Sequence, residues 1–290
     1  MSKSIKRVLF YSAVAVFLIL SYVIILYAQG YKYSFSDNKF YRTGAMYLKV
    51  NTGADVYLND KLLGNTSFFN NSYRIEGLLP GNYTIRMQKN DYSTWQKSVI
   101  VDEGFVSEFS KILLLPRDEK GLEELSKEIA LIFSTPTPAP KPKPSPSPMP
   151  TPSIEPFAIK KGILSTTNEE LFDNARSKPE IIAENVKDFV LSKDKNKLAW
   201  WTANEVWVMW LNDANYQPYR KKGDKELITR FSTQIKKAAW FRDDDHLIVD
   251  SASSPRPELG TKAPQVDSDR YKILEIDTRG GINIINIIGT

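Results

Sequence analysis

From Val8 to Ala28 the chain runs without a single charged residue. A helix rises about 1.5 Å per residue, so a run of this length covers roughly 30 Å, the hydrocarbon thickness of a bilayer. A helix also satisfies its own backbone hydrogen bonds in lipid, where water cannot. A cleaved signal peptide has a shorter apolar core, about 7–15 residues, closed by small residues. Here the only such context is Leu26-Tyr27-Ala28, which puts leucine where a small residue is wanted. Residues 8–28 therefore read as a single membrane anchor. Lys3, Lys6 and Arg7 precede the span and only Lys32 follows closely. The positive-inside rule then puts the N-terminus in the cytoplasm and the bulk of the chain outside.

The remainder divides by composition. Ser134–Pro156 holds 10 of the 17 prolines. Such a stretch cannot form a hydrogen-bonded core and predicts an extended polyproline spacer. Residues 118–133 precede it, with Leu122, Leu125, Ile129 and Ile132 at helical spacing, and predict an amphipathic helix packed on the first domain or on a partner. The expected organisation is a tail and anchor over 1–30, a β domain over 31–117, this helix, the linker over 134–156 and a second β region over 157–290.

Charge and composition exclude several classes. Residues 31–117 carry 11 Lys/Arg against 8 Asp/Glu, and residues 157–290 carry 21 against 20. Neither has the excess of a nucleic-acid binder. The chain has no cysteine, so disulfides, thiolate metal sites and a cysteine nucleophile are excluded.

Over 31–117, six segments rich in Tyr, Val, Ile and Phe predict strands: Ala45–Val50, Ala54–Leu58, Tyr73–Glu76, Tyr83–Gln88, Trp95–Val101 and Val106–Leu115. Asn59-Asp60 fits the centre of a tight hairpin. Pro80-Gly81 fits a type II turn. The order Val56-Tyr57-Leu58-Asn59-Asp60, Gly64-Asn65-Thr66, Leu79-Pro80-Gly81-Asn82-Tyr83-Thr84-Ile85 and Asp91-Tyr92 resembles the PEGA domain. Asp60 and Asp91 stand where that family has glycine, and Ser67 where it has proline. The resemblance covers roughly residues 45–116 and implies a small antiparallel β-sandwich of envelope proteins, with no catalytic residues.

Residues 157–290 contain an internal repeat. A shift of 49 residues lays Val186–Trp200 on Ile235–Val249, with Asp194 on Asp243 and Leu198 on Leu247. Glu180–Ala183 and Glu226–Thr229 read as earlier strands of the two units, Glu205–Leu211 and Tyr271–Ile276 as later ones, and Ser251–Asp269 as an insertion. A four-stranded period of about 50 residues is a propeller-blade signature. The turns Ser192–Lys197 and Arg242–His246 resemble the hairpins of WD-like propellers, including the periplasmic propeller of the Tol system. About two blades fit in the region, whereas a closed propeller has about four to eight. An incomplete or truncated propeller is expected, ending in the strand run Ile282–Ile288.

Asp243-Asp244-Asp245 lacks the ligand schedule of a calcium loop and reads as turn carboxylates. His246 is the only histidine, at a strand start without a nucleophile motif beside it. The repeat makes Trp200 and Trp240 core residues and leaves one of Trp201 or Trp210 exposed. Lys221–Lys225 reads as a solvated loop. No catalytic, cofactor-binding or metal residue is expected. The fold expected is mainly β: an anchor helix, a PEGA-like sandwich, a proline-rich linker and incomplete propeller-like repeats. The functional expectation is a non-enzymatic extracytoplasmic scaffold or binding protein of the cell envelope. Its expected partners are the membrane, through residues 8–28, and an envelope protein or cell-wall polysaccharide. The alternatives are a fragment of a propeller-containing hydrolase, or an envelope sensor.

Overall fold

The computed structural model describes residues 3–134, 157–161, 169–173, 180–251, 270–281 and 283–287. The expected spacer, apart from Ser134, and the expected insertion, apart from Ser251, lie outside the described residues, as do Ile282 and Ile288 of the last expected strand.

Helix α1 spans Lys3–Ala28. It is the one helix among the described residues long and apolar enough to cross a membrane, and none of its residues is buried. Gly30 closes it in the left-handed conformation, φ +85°. The Gly30 carbonyl then accepts from both the backbone N and the Oγ1 of Thr43, each at 2.8 Å. The first strand starts at once, as β1 (Tyr31–Ser34) paired with β2 (Lys39–Arg42).

The chain forms two compact units. The first comprises Met1–Lys89, Thr94–Leu114 and Arg279–Gly281. Its sheets use β3 (Gly44–Val50), β4 (Asp55–Leu58), β5 (Lys61–Asn65), β6 (Ser72–Leu78), β7 (Gly81–Gln88), β8 (Trp95–Val101) and β9 (Val106–Ile112). The orders are β5-β4-β7-β8 and β6-β3-β9. Strand β8 alternates buried and exposed residues along its whole length, as a half-covered sheet requires. Trp95 meets Phe109 of β9 edge to face at 5.4 Å, joining the two sheets over a core that includes Met46, Leu48, Val56, Ile85 and Met87.

The six expected strands are present, and Leu58 pairs with Lys61 across Asn59-Asp60. Both turn residues are left-handed, at φ 48° and 62°, and Asp91 takes φ 61°. Aspartate tolerates that region better than most residues, so both turns close without a glycine there. Two expectations fail. Gly81 sits at φ 157°, far from the left-handed value that a type II turn requires of its second central residue. The sandwich is also not purely antiparallel, because β3 and β9 run parallel. Strand content cannot reveal this, since the pairing joins segments far apart in the sequence.

The second unit comprises Asn90–Ser93, Leu115–Thr278 and Ile282–Thr290. Helix α2 (Glu119–Phe133) starts at Asp118, whose carboxylate accepts from the Gly121 N–H. It buries Leu125 and Ile129. Glu128 binds Arg242 and Phe133 stacks on Tyr271 at 5.6 Å, so the helix packs on the second unit's own strands. The strands are β10 (Phe157–Lys161), β11 (Glu169–Asp173), β12 (Glu180–Ala183), β13 (Asp188–Leu191), β14 (Lys197–Trp201), β15 (Glu205–Trp210), β16 (Lys225–Arg230), β17 (Ile235–Trp240), β18 (His246–Ser251), β19 (Tyr271–Glu275) and β20 (Ile284–Asn286). They form three sheets, β10-β11-β12, β13-β14-β15-β16 and β17-β18-β19-β20.

One core joins the two four-stranded sheets: Ala199, Trp201, Val206, Val208 and Trp210 pack with Ile235, Leu247, Val249 and Leu274. A second cluster, with Leu198, Trp200 and Met209, covers the other face of β14 and β15. Every residue of β14 is therefore buried, which accounts for the apolar run Leu198–Trp201 that follows Lys197. Trp201 and Trp210 are both buried, so the expectation that one of them is exposed is corrected.

The propeller expectation is also corrected. Each described sheet is open, with two edge strands, and none closes or curls into a ring. Glu226–Thr229 is not the first strand of the second repeat, because it lies in β16, the fourth strand of the preceding sheet. Glu180–Ala183 likewise pairs with β11 and not with β13. The repeat fixes the register within a hairpin, and it carries no information about which neighbour the flanking strands join.

Candidate functional site

Three segments of the second unit border an open cleft of about 710 Å³, through Glu184, Asn185 and Lys187, residues 202–205, and residues 230–231. The β14–β15 turn lines it. There Thr202 Oγ1 accepts from the Glu205 N–H at 3.1 Å, a side chain closing its own backbone turn. Asn204 donates through Nδ2 to the carbonyls of Phe231 and Thr233 at 3.3 and 3.1 Å. The Phe231 and Ile235 N–H groups donate back to Asn204 and Ala203 at 2.7 Å each. These four bonds fasten the turn to the β16–β17 connection and fix the cleft's shape.

Glu205 carries the electrostatics. Trp207 Nε1 donates to one carboxylate oxygen at 2.9 Å and Arg230 Nε to the other at 2.9 Å. The Trp207 bond, then the Arg230 bond, holds the carboxyl below the usual glutamate range, against a smaller opposing effect of burial. Glu205 is therefore an ionised, oriented acceptor, with both oxygens engaged. Glu184 and Lys187 add exposed charges of opposite sign at the rim. Phe231, which also lines the cleft, is partly buried and packs against the core.

A second constellation is buried. Lys197, 3% exposed, donates to the Asp244 carbonyl at 2.7 Å and lies 3.2 Å from Asp245 Oδ1. Tyr216 donates its hydroxyl to the same oxygen at 2.8 Å, and the Lys197 ammonium lies 5.6 Å from its ring centroid. Burial first, then the Asp245 charge, pushes the Tyr216 phenol well above its ordinary value. Asp244 Oδ1 accepts from the Lys193 N–H at 2.8 Å. Asp243 accepts from the Asp245 N–H and faces His246 Nδ1, each at 2.8 Å. His246 is 1% exposed, and its Nε2 has no hydrogen-bond partner among the described residues.

The three aspartates expected as turn carboxylates thus make bonds inside the fold. No group of three or more metal-ligating side chains occurs among the described residues. Lys221 and Asp224 close their loop by a 2.7 Å bond from the Lys221 N–H to the carboxylate. Lys197, Tyr216 and Glu205 were not singled out from sequence. The available signal was a lysine opening an otherwise apolar strand.

No protein-family model and no curated protein matches the chain. The resemblance to the PEGA domain is therefore not supported. The motif residues behind it are turn formers and inward-facing apolar residues, a combination that hairpins of many β proteins need.

Proposed function

We propose that the chain is a non-enzymatic binding or scaffolding protein of the cell envelope, held by α1 with both β units on the extracytoplasmic side. The carrying observation is the membrane-length helix joined through Gly30 to folded β structure. Lys3, Lys6 and Arg7 at its N-terminal end favour a cytoplasmic N-terminus. The cleft of the second unit is the binding surface in this reading, and its ligand is an envelope protein or a cell-wall polysaccharide. The engaged oxygens of Glu205 and the enclosed ring of His246 favour positioning and packing roles over proton transfer.

Co-sedimentation of the full chain in detergent with purified cell-wall material tests the reading. Binding lost in a Glu184→Ala/Lys187→Ala/Phe231→Ala variant that stays folded supports a cleft-borne scaffold. Equal binding by this variant would remove the cleft from the proposal, and no binding at all would leave an envelope protein as the partner to seek. Orientation is read by single cysteines introduced at Ser2 and Asn70. A membrane-impermeant maleimide should label only the second in intact cells.

A further inference from the structure

A second cleft, of about 450 Å³, lies in the first unit and includes Tyr27, Lys32, Arg74, Glu76, Gly77 and Phe105 in its lining. Its position relative to a bilayer follows from α1. The helix ends at Ala28, the polar Gln29 follows and the first charge is Lys32, so Tyr27 sits where hydrocarbon gives way to headgroups. A cleft that shares Tyr27 opens at that level. The first unit cannot drift from it freely, because Gly30 is bonded twice to Thr43 and β1 starts at Tyr31.

The chemistry of the cleft matches that location. Lys32 spends one of its three donors on the Gly77 carbonyl at 2.7 Å. Arg74 directs Nε to Glu76 at 2.7 Å, and its guanidinium carries further donors beyond that one. Two cations thus face one carboxylate. Gly77 sits at φ +68°, and a Cβ there would come within 2.7 Å of Lys32 Nζ, so the glycine leaves room for the ammonium. Beside them Phe105 is 70% exposed at the end of the 102–105 turn. Its carbonyl accepts from the Ala45 N–H at 2.9 Å, which fixes the turn. Aromatic rings beside cations at the interfacial level are the pattern of a headgroup contact.

We propose that this cleft binds the phosphodiester of an anionic phospholipid from the leaflet at the C-terminal end of α1, with Lys32 and Arg74 on the phosphate and Phe105 entering the acyl boundary. The bound lipid would hold the first unit against the membrane surface.

The test uses the full chain in nanodiscs of phosphatidylcholine with or without phosphatidylglycerol. Native mass spectrometry should find phosphatidylglycerol retained over phosphatidylcholine. A Lys32→Gln/Arg74→Gln variant should lose about 30-fold of that preference, whereas Arg86→Gln, on β7 outside the cleft, should keep it. Hydrogen exchange on the wild-type chain gives a readout that needs no variant: residues 102–106 should become protected only when phosphatidylglycerol is present. Equal retention of the two lipids, an unchanged double variant, or no added protection overturns the proposal. Displacement of the lipid by inorganic phosphate alone would also overturn it, as recognition of a free anion.

Discussion

Replacing Asp245 by alanine should unfold the second unit more readily than any surface change. The substitution strips a carboxylate from a lysine whose side chain is 4% exposed and removes the acceptor of the Tyr216 hydroxyl. Lys197 keeps its hydrogen bond to the Asp244 carbonyl and its place by the Tyr216 ring, but its buried charge loses the carboxylate in contact with it. Breaking such a pair from one side costs about 3–5 kcal/mol. With a urea m-value of about 2 kcal/mol/M, the midpoint falls by roughly 2 M. The assay is urea titration of the full chain in detergent, followed by tryptophan fluorescence. Five of the six tryptophans lie between Trp200 and Trp240, so the signal reports on this unit. Removing both charges, as Lys197→Met/Asp245→Asn, leaves Tyr216 an acceptor and no buried ion, and should return stability to within about 1 kcal/mol of wild type. A single variant that loses less than about 1 kcal/mol, or a double variant as unstable as the single one, refutes the reasoning.

Tyr216 gives an alkaline prediction. Its folded pKa lies above that of the unfolded chain, so its contribution is complete below about pH 10 and declines as pH rises beyond that value. Tyr216→Phe should flatten the loss of stability above pH 10 in pH-jump urea titrations. Glu205 behaves oppositely. Its folded pKa is depressed, so its contribution is present above about pH 4.3 and disappears as pH falls through the folded value. Glu205→Gln should make acid unfolding shallower, read by the same fluorescence. In the first unit, a Cβ on Gly44 would come within 2.4 Å of Val101 Cγ1, 2.7 Å of the Asp102 carbonyl and 2.9 Å of the Phe105 carbonyl. Two of these are backbone atoms, so Gly44→Ala should cost about 1–3 kcal/mol and speed hydrogen exchange along β3.

Local chemistry was legible in the sequence. Strands show as β-branched and aromatic runs, and the Asn59-Asp60 hairpin shows as two residues that accept left-handed φ. Long-range choices left no such mark. The parallel β3–β9 pairing, the attachment of β16 to β15 and the docking of α2 on Arg242 and Tyr271 all join segments whose own patterns fit other partners equally well. Both clefts fall in the same category. The larger one draws on Glu184, Asn185 and Lys187, residues 202–205, and residues 230–231, none of which is unusual alone. Alternation predicts one covered face and an exposed Trp201 or Trp210, whereas β14 and β15 are covered on both faces.

The repeat itself has a physical content narrower than a propeller. Leu191 pairs with Leu198, and at the equivalent place in the second unit Trp240 pairs with Leu247. The N–H of Ser192 donates to the Lys197 carbonyl at 2.9 Å, and that of Phe241 to the His246 carbonyl at 2.9 Å. Asp194 accepts from the Asn196 N–H at 2.9 Å, as Asp243 does from the Asp245 N–H at 2.8 Å. The turns are not copies, since the left-handed residue is Lys195 in one and Arg242 in the other. Lys197 and His246 then occupy equivalent positions, each opening a strand, each buried and each facing an aspartate of the 243–245 turn. What the sequence repeats is therefore an aspartate-closed hairpin with a buried basic residue at its second strand. Each such hairpin is closed by its own turn, and one apolar core joins the two sheets that carry them.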